Sequence, residues 1–382
     1  MSEESIYRDF IDWLGSTWWG LPESDELMPL IKARYAVEEA QFLTGMPFWG
    51  PSRGKTLEEL AKVKQMDAAE LGPLLDALAG KGVVYRGGQG KSIRYGLNDS
   101  FFTLLRSSFW PGGTDEISKT AAPLVNRYFY DGFFDQYADA HTKGLRTLPV
   151  EGTIDDTRQF LPYEDVVKVL ESQEHFCVAT CPCRHRKKLD PDSPDCRHPT
   201  EVCLHFGNLA HYMVEQGLGR EITREEAREI LAKAADSGLV HGVTNWQQDV
   251  DTICNCCKCC CMWFDAYHVL NHSKSLDTSN YIACTNAETC EGCGLCVKRC
   301  PMEALRLEDS PELDNKTGKV AVLDRELCIG CGVCVHKCPT KSLVLERREV
   351  THDPPENVYE YGMRFVADRR AALEQRENAE RK

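Results

Sequence analysis

The chain has no apolar run near the roughly 18 residues needed to cross a bilayer, and its opening Met1-Ser-Glu-Glu carries no basic region leading into an apolar segment. No membrane span and no secretory or transit leader is expected, so the expected setting is cytoplasmic. Positive charge is also short: 45 Lys and Arg against 59 Asp and Glu give a net charge of −14. That disfavours nucleic acid as a partner, because affinity for it comes from neutralising phosphates, and suits proteins with a basic docking patch. No G-x-G-x-x-G fingerprint occurs, which leaves flavin or nicotinamide chemistry to a partner. Two near-matches to a phosphate loop, Gly50 to Thr56 and Gly87 to Ser92, have Trp49 and Tyr85 where the first glycine must stand, so neither is a nucleotide site.

Cysteine is what the chain has in excess, with twenty in 382 residues. In a reducing compartment so many thiols point to metal rather than disulfides, and soft thiolates favour iron–sulfur clusters, zinc or copper(I). The densest stretch, Ile253-Cys-Asn-Cys-Cys-Lys-Cys-Cys-Cys261, holds six cysteines in eight positions. Sequence neighbours cannot bridge one another without strain. With 42% hydrophobic and 27% charged residues, the chain is long enough for two or three domains with their own cores.

Residues 290 to 301 read Cys-Glu-Gly-Cys-Gly-Leu-Cys-Val-Lys-Arg-Cys-Pro, and residues 328 to 339 repeat the spacing as Cys-Ile-Gly-Cys-Gly-Val-Cys-Val-His-Lys-Cys-Pro. This C-x2-C-x2-C-x3-C-P run resembles the two-cluster ferredoxins of bacteria over about 281 to 346. The resemblance implies that Cys290, Cys293, Cys296 and Cys338 hold one 4Fe-4S cluster, and that Cys328, Cys331, Cys334 and Cys300 hold a second. Glycines 292, 294, 330 and 332 suit amides that approach sulfur closely. Between the halves, strand-like segments around Leu305 and Lys319–Leu323 flank Asp-Asn-Lys-Thr-Gly, a hairpin expectation. Its role is open between a flap on one cluster and a neutral surface hairpin.

Upstream, Leu161 to Ser172 reads as a helix started by Pro162, and His175 to Thr180 as a short strand delivering Cys181-Pro-Cys183-Arg184-His185 to a loop. Cys196 and Cys203 follow. A second helix is bounded by a Thr223/Glu226 capping box and Gly238. The candidate ligands of one or two further iron–sulfur clusters are Cys181, Cys183, Cys196, Cys203, Cys254, Cys256, Cys257, Cys259, Cys260 and Cys261. Alternation along an extended backbone would send Cys254 and Cys256 to one face and Cys257, Cys259 and Cys261 to the other. Zinc, a reactive thiol array and a non-cubane centre remain alternatives. Arg184 and His185 are placed to stabilise thiolate charge; His175, His185, His198, His205, His211 and His241 are open between a ligand role, since imidazole can replace thiolate on iron, and the preferred reading as ordinary hydrogen-bonded or surface histidines. Over about 160 to 346 the pattern is similar to a group of large 4Fe-4S-binding proteins of anaerobes, a resemblance that implies cofactors rather than one reaction.

Residues 56 to 97 read as a winged helix-turn-helix, with Leu57, Leu60 and Val63 inward on the first helix and Leu71, Leu74, Leu75 and Leu78 on the second. The outer face of the second helix, with Ala68, Ala69, Glu70, Gly72, Pro73 and Asp76, is small or acidic and would read bases poorly. Docking or dimerisation is the preferred role. The aromatic series Tyr128, Phe129, Tyr130, Phe133, Phe134 and Tyr137 reads as core or subunit interface.

The expected fold class is α+β and multidomain. It comprises a helical, winged-helix-like domain (1–145), a Cys-rich α/β module (146–275), a two-cluster ferredoxin-like domain (276–346) and a C-terminal arm (347–382). The expected function is an electron-transfer subunit passing single electrons through several clusters between an external carrier and a partner, a flavoprotein or other oxidoreductase, in an oligomer or complex. A redox-sensing regulator acting through the winged helix is the alternative.

Overall fold

The N-terminal helices form where caps and apolar spacing coincide. In the computed structural model, which describes all residues except 1, 50–53, 89, 134–136, 138–139, 155–160, 273–274, 313–314 and 381–382, α1 (Glu3–Gly15) buries Tyr7, Phe10 and Leu14. It is followed by α2 (Leu27–Arg34) and α3 (Val37–Leu43). Next, α4 (Leu57–Lys64) opens on a reciprocal box between Thr56 and Glu59 and ends at Gln65, in the left-handed region at φ 52°; α5 (Ala68–Gly80) starts on the Asp67 carboxylate. Strands β1 (Val84–Gly87) and β2 (Arg94–Leu97) pair antiparallel after them. One expectation fails here. Leu60 is buried, but Val63 is 48% exposed. The inward place one turn after Leu60 belongs to Lys64, which donates to the Thr44 carbonyl at 2.8 Å.

The aromatic segment is α6 (Glu116–Tyr128), started by Asp115 accepting from the Ser118 amide at 3.0 Å, then a π-type turn over Phe129–Phe133. Tyr128, Phe129 and Tyr137 are core; Phe134 and the side chain of Phe133 lie outside the described residues.

A six-stranded antiparallel sheet carries the middle of the chain. Its strands are β3 (Leu145–Leu148), β4 (Phe176–Thr180), β5 (Glu201–Phe206), β6 (Arg220–Glu221), β7 (Val240–Thr244) and β8 (Thr252–Cys256), in spatial order β3-β7-β8-β5-β4-β6. Burial is continuous along β3 and β7. The helices of this region are α7 (Val166–Glu171), α8 (Pro182–Leu189), α9 (Gly207–Glu215), α10 (Arg224–Asp236) and α11 (Met262–His268), of which α9 and α10 pack on the sheet.

Three local expectations are corrected. Leu161 to Ser172 is a 3-10 turn at Pro162–Glu164 followed by α7, because the Asp165 side chain accepts from the Val167 and Lys168 amides and starts a new helix. Cys181-Pro-Cys-Arg-His does not lie on a loop: Cys181 caps α8 and Pro182 occupies its first turn, where a missing N–H costs nothing. Thr223 accepts from the Glu226 amide at 3.1 Å, but the Glu226 carboxylate pairs with Arg220 at 2.7 Å rather than completing the box.

In the tail, β9 (Tyr281–Thr285) pairs with β12 (Leu343–Arg347), and β10 (Leu305–Asp309) pairs with β11 (Lys319–Leu323) as the expected hairpin. Short helices α12 (Leu295–Arg299) and α13 (Val333–His336) follow the glycine-rich loops. Finally α14 (Val358–Glu380) folds back on the N-terminal helices. Tyr361 and Phe365 pack on Trp18, and Asp368 accepts from Thr142 Oγ1 at 2.6 Å.

A fully buried pair ties the layers together. Glu164 meets Arg146 of β3 at 3.4 Å and accepts from the Asn280 amide, next to β9, at 3.1 Å. Burial raises the Glu164 carboxyl against the lowering pull of Arg146, and the added amide bond supplies what a buried ion pair needs to persist. Among the described residues no helix is long and apolar enough to cross a membrane.

Candidate metal centre

The tail cysteines sit on two loop-helix units. Cys296 lies on α12 and Cys300 ends it; Cys334 lies on α13, with Cys338 just beyond. Burial pushes the Cys296 thiol up to about 11, and the thiols that add to this are Cys290, Cys293 and Cys338. Cys331 is raised by burial and by Cys300 and Cys328. Cys338 thus acts on Cys296 of the first run, and Cys300 on Cys331 and Cys334 of the second. Gly292 and Gly330 hold φ of +60° and +72°, and a Cβ on either would overlap backbone, at Lys319 and Tyr281 respectively. The Ala304 amide donates to Cys300 Sγ at 3.2 Å. The hairpin turn lies on the first loop, Asn315 Nδ2 donating to the Cys290 carbonyl at 2.8 Å and Thr317 Oγ1 to that of Glu291 at 2.9 Å.

In the middle of the chain the sheet register gathers distant thiols. Leu204 of β5 lies opposite Ile253 of β8, which sets Cys203 beside Cys254. Cys203 and Cys254, Cys254 and Cys256, Cys256 and Cys261, Cys261 and Cys183, and Cys183 and Cys181 then act on one another's thiol acidity as neighbours. These six, with Cys257, line a cleft of about 1880 Å³ between the N-terminal loops, the sheet and α14, whose walls include Trp19, Phe101, Trp246 and Trp263.

The other four central candidates form a separate group. Cys259 Sγ lies 3.4 Å from Cys196 Sγ, Cys257 lies 4.0 Å from Cys196, and Cys260 lies 3.8 Å from Cys259. The division differs from the one that alternation predicts. Extended backbone stops at Cys256; Cys257, Cys259 and Cys260 turn towards Cys196, and Cys261 rejoins Cys254 and Cys256 as the cap of α11. Cys177, the eleventh cysteine between 177 and 261, lies in neither group and packs behind β4 with Tyr212 and Met213.

Charge is arranged for thiolates. Burial opposes the Cys261 anion, but hydrogen bonds from Cys183, Cys256 and the Phe264 and Trp263 amides hold it at about 6; a helix N-terminus favours a thiolate in this way. Arg184, with no exposed surface, is anchored by two bonds to the Asn255 carbonyl at 2.6 and 3.0 Å and acts on Cys181, Cys257, Cys256 and Cys196. His185 faces elsewhere, its Nε2 on the Gly113 carbonyl at 2.8 Å. His205 and His241 bond Thr252 and Asn255 inside the sheet.

Sequence reading passed over Arg186. It is fully buried against the Phe129 ring, its three guanidinium nitrogens have no acceptor, and its charge opposes the rise that Cys261 and burial impose on the Cys183 thiol. The signal was available in the run Arg184-His-Arg186, two arginines on one helix with the half-buried Cys181 and Cys183. A buried cation without partners is costly, and an anionic thiolate-bound centre beside it removes that cost. The donor set and these two arginines therefore fit an iron–sulfur group.

A protein-family model described as the 4Fe-4S dicluster domain matches residues 289–342. No curated protein matches the chain significantly. The tail is thus an iron–sulfur domain of ferredoxin type, and 4Fe-4S clusters are the cofactor it implies. The match ends outside the cysteine-rich middle.

Proposed function

We propose that the chain is an electron-transfer protein with two tail clusters and a further iron–sulfur centre on Cys181, Cys183, Cys203, Cys254, Cys256 and Cys261. In this reading Cys290, Cys293, Cys296 and Cys338 hold one cluster, and Cys328, Cys331, Cys334 and Cys300 the other. Bound clusters supply one-electron chemistry at potentials set by burial and by hydrogen bonds to sulfur. The chain's own part is to hold thiolates, donate amides to them and exclude water.

The observation that carries the reading is the seam between middle and tail. Lys258, inside the cysteine-dense turn, pairs with Glu303, three residues past Cys300. Beside it His268 Nε2 meets the Pro301 carbonyl at 2.8 Å. Arg299 reaches the last carbonyls of α10, at Ala235 and Asp236. These contacts set the central thiols against the end of the first ferredoxin run, where Cys300 stands. The exchange partner is a flavoprotein or other oxidoreductase.

The cleft favours a second reading, in which the six-thiol centre meets a small molecule there. An aromatic-walled cavity with charged groups, here Asp99, Arg106, Arg184 and Asp251 among others, has the usual form of a ligand site. The regulator alternative gains little, since the exposed positions on α5 include Ala69, Glu70, Pro73 and Asp76.

Anaerobic titration of the full chain with reduced methyl viologen tests the proposal. Uptake of more than two electrons is expected, falling in a Cys183→Ser/Cys254→Ser variant by what the six-thiol centre takes up; an uptake equal in variant and wild type would remove that centre from the path. Tight, salt-sensitive binding to duplex DNA would revive the regulator.

A further inference from the structure

We propose that Cys196, Cys257, Cys259 and Cys260 form a site for a single tetrahedral metal ion, zinc or iron, separate from every cluster in the chain. The argument is one of spacing. Four thiolates about 2.3 Å from one ion are about 3.8 Å apart along the tetrahedron's edges. The four sulfurs here all lie within 4.8 Å of one another, with pairs at 3.4, 3.8 and 4.0 Å. Cysteines that cap different irons of a cube must stand outside it and further apart. The tail provides the comparison: among the described residues this is the one group of three or more potential ligands that converges so closely, so the eight ferredoxin thiols keep a wider spacing.

The surroundings suit an ion. Cys196, Cys257 and Cys260 are 5, 3 and 0% exposed, in an apolar pocket with Val202, Ala234 and Leu239. Arg184 offsets part of the charge of four thiolates. With four sulfurs the shell is closed, which is the form of a structural site rather than a catalytic one. S4 tetrahedra select zinc or iron. Such an ion would staple the loop bearing Cys196 to the turn bearing Lys258, and so fix the seam with Glu303 of the tail. The inference is independent of electron transfer, because it concerns metal count and coordination.

The test is metal and acid-labile sulfide analysis of anaerobically purified full chain after dialysis against chelator, with X-ray absorption at the edge of the surplus metal. One ion per chain beyond the sulfide-matched iron is expected, surrounded by four sulfurs at about 2.3 Å with no second metal nearby. Zinc would appear as one equivalent of zinc, and iron as an excess of iron over sulfide by one. Cys259→Ser combined with Cys196→Ser should lose that equivalent and leave the sulfide content unchanged. Sulfide that accounts for all metal, or a surplus ion with fewer than four sulfurs or with a metal neighbour, would overturn the site. The wild-type absorption data decide the matter even where the double variant fails to fold.

Discussion

At the scale of single residues, charge and backbone conformation decide whether sulfur can hold metal. Gly330 stands at φ +72° with its missing Cβ pointed at the Tyr281 carbonyl. Gly330→Ala should lower the iron and sulfide of the second tail cluster by about half or more, with the first cluster intact; electron paramagnetic resonance of the reduced protein would separate them. Arg184 was legible beside Cys183, as an arginine near thiols, but its anchoring on Asn255 was not, because that carbonyl is 71 residues away in sequence. Removing this buried charge makes an added electron less welcome. Arg184→Met should therefore shift the central centre to lower potential by on the order of 59 mV, a tenfold step for one electron, in a redox titration that leaves the tail clusters unmoved.

At the scale of elements, local stereochemistry overrode periodic reading wherever a polar side chain found a nearby amide. Asp165 split the segment expected as one helix, since its carboxylate accepts from Val167 at 3.0 Å and Lys168 at 3.4 Å. Asp165→Ala should cost about 1 kcal/mol, the usual worth of such a cap, read from urea unfolding. The tail hairpin was legible from its Asn and Gly turn, whereas its seat on the first cluster loop was not. With Asn315 and Thr317 both changed to Ala, the bonds to Cys290 and Glu291 are lost. The first cluster should then bleach in air several-fold faster than the second, followed by absorbance and confirmed by resonance signals.

At the scale of the molecule, the seam between middle and tail is polar and half exposed. Lys258 and Glu303 keep 44 and 69% of their side-chain surface, so the pair contributes at most about 1 kcal/mol to stability. Glu303→Lys should change the unfolding midpoint little and slow electron exchange between central and tail centres markedly in stopped-flow reduction. An exchange rate equal to that of the wild type would mean that the contact plays no part in alignment.

The sequence alone determined the parts of this protein whose cysteines lie within a dozen residues of each other: the two repeated runs, the glycines their loops require, the hairpin between them. Short loops leave the chain little choice, so spacing carries geometry. The ten central thiols are different. Cys181 and Cys183 meet Cys261 only through the order of β4, β5 and β8, and Cys196 meets Cys257 only across a turn that ends a strand. Sorting them into six and four needed tertiary structure, because a register and a turn, rather than a spacing, decide which sulfurs converge.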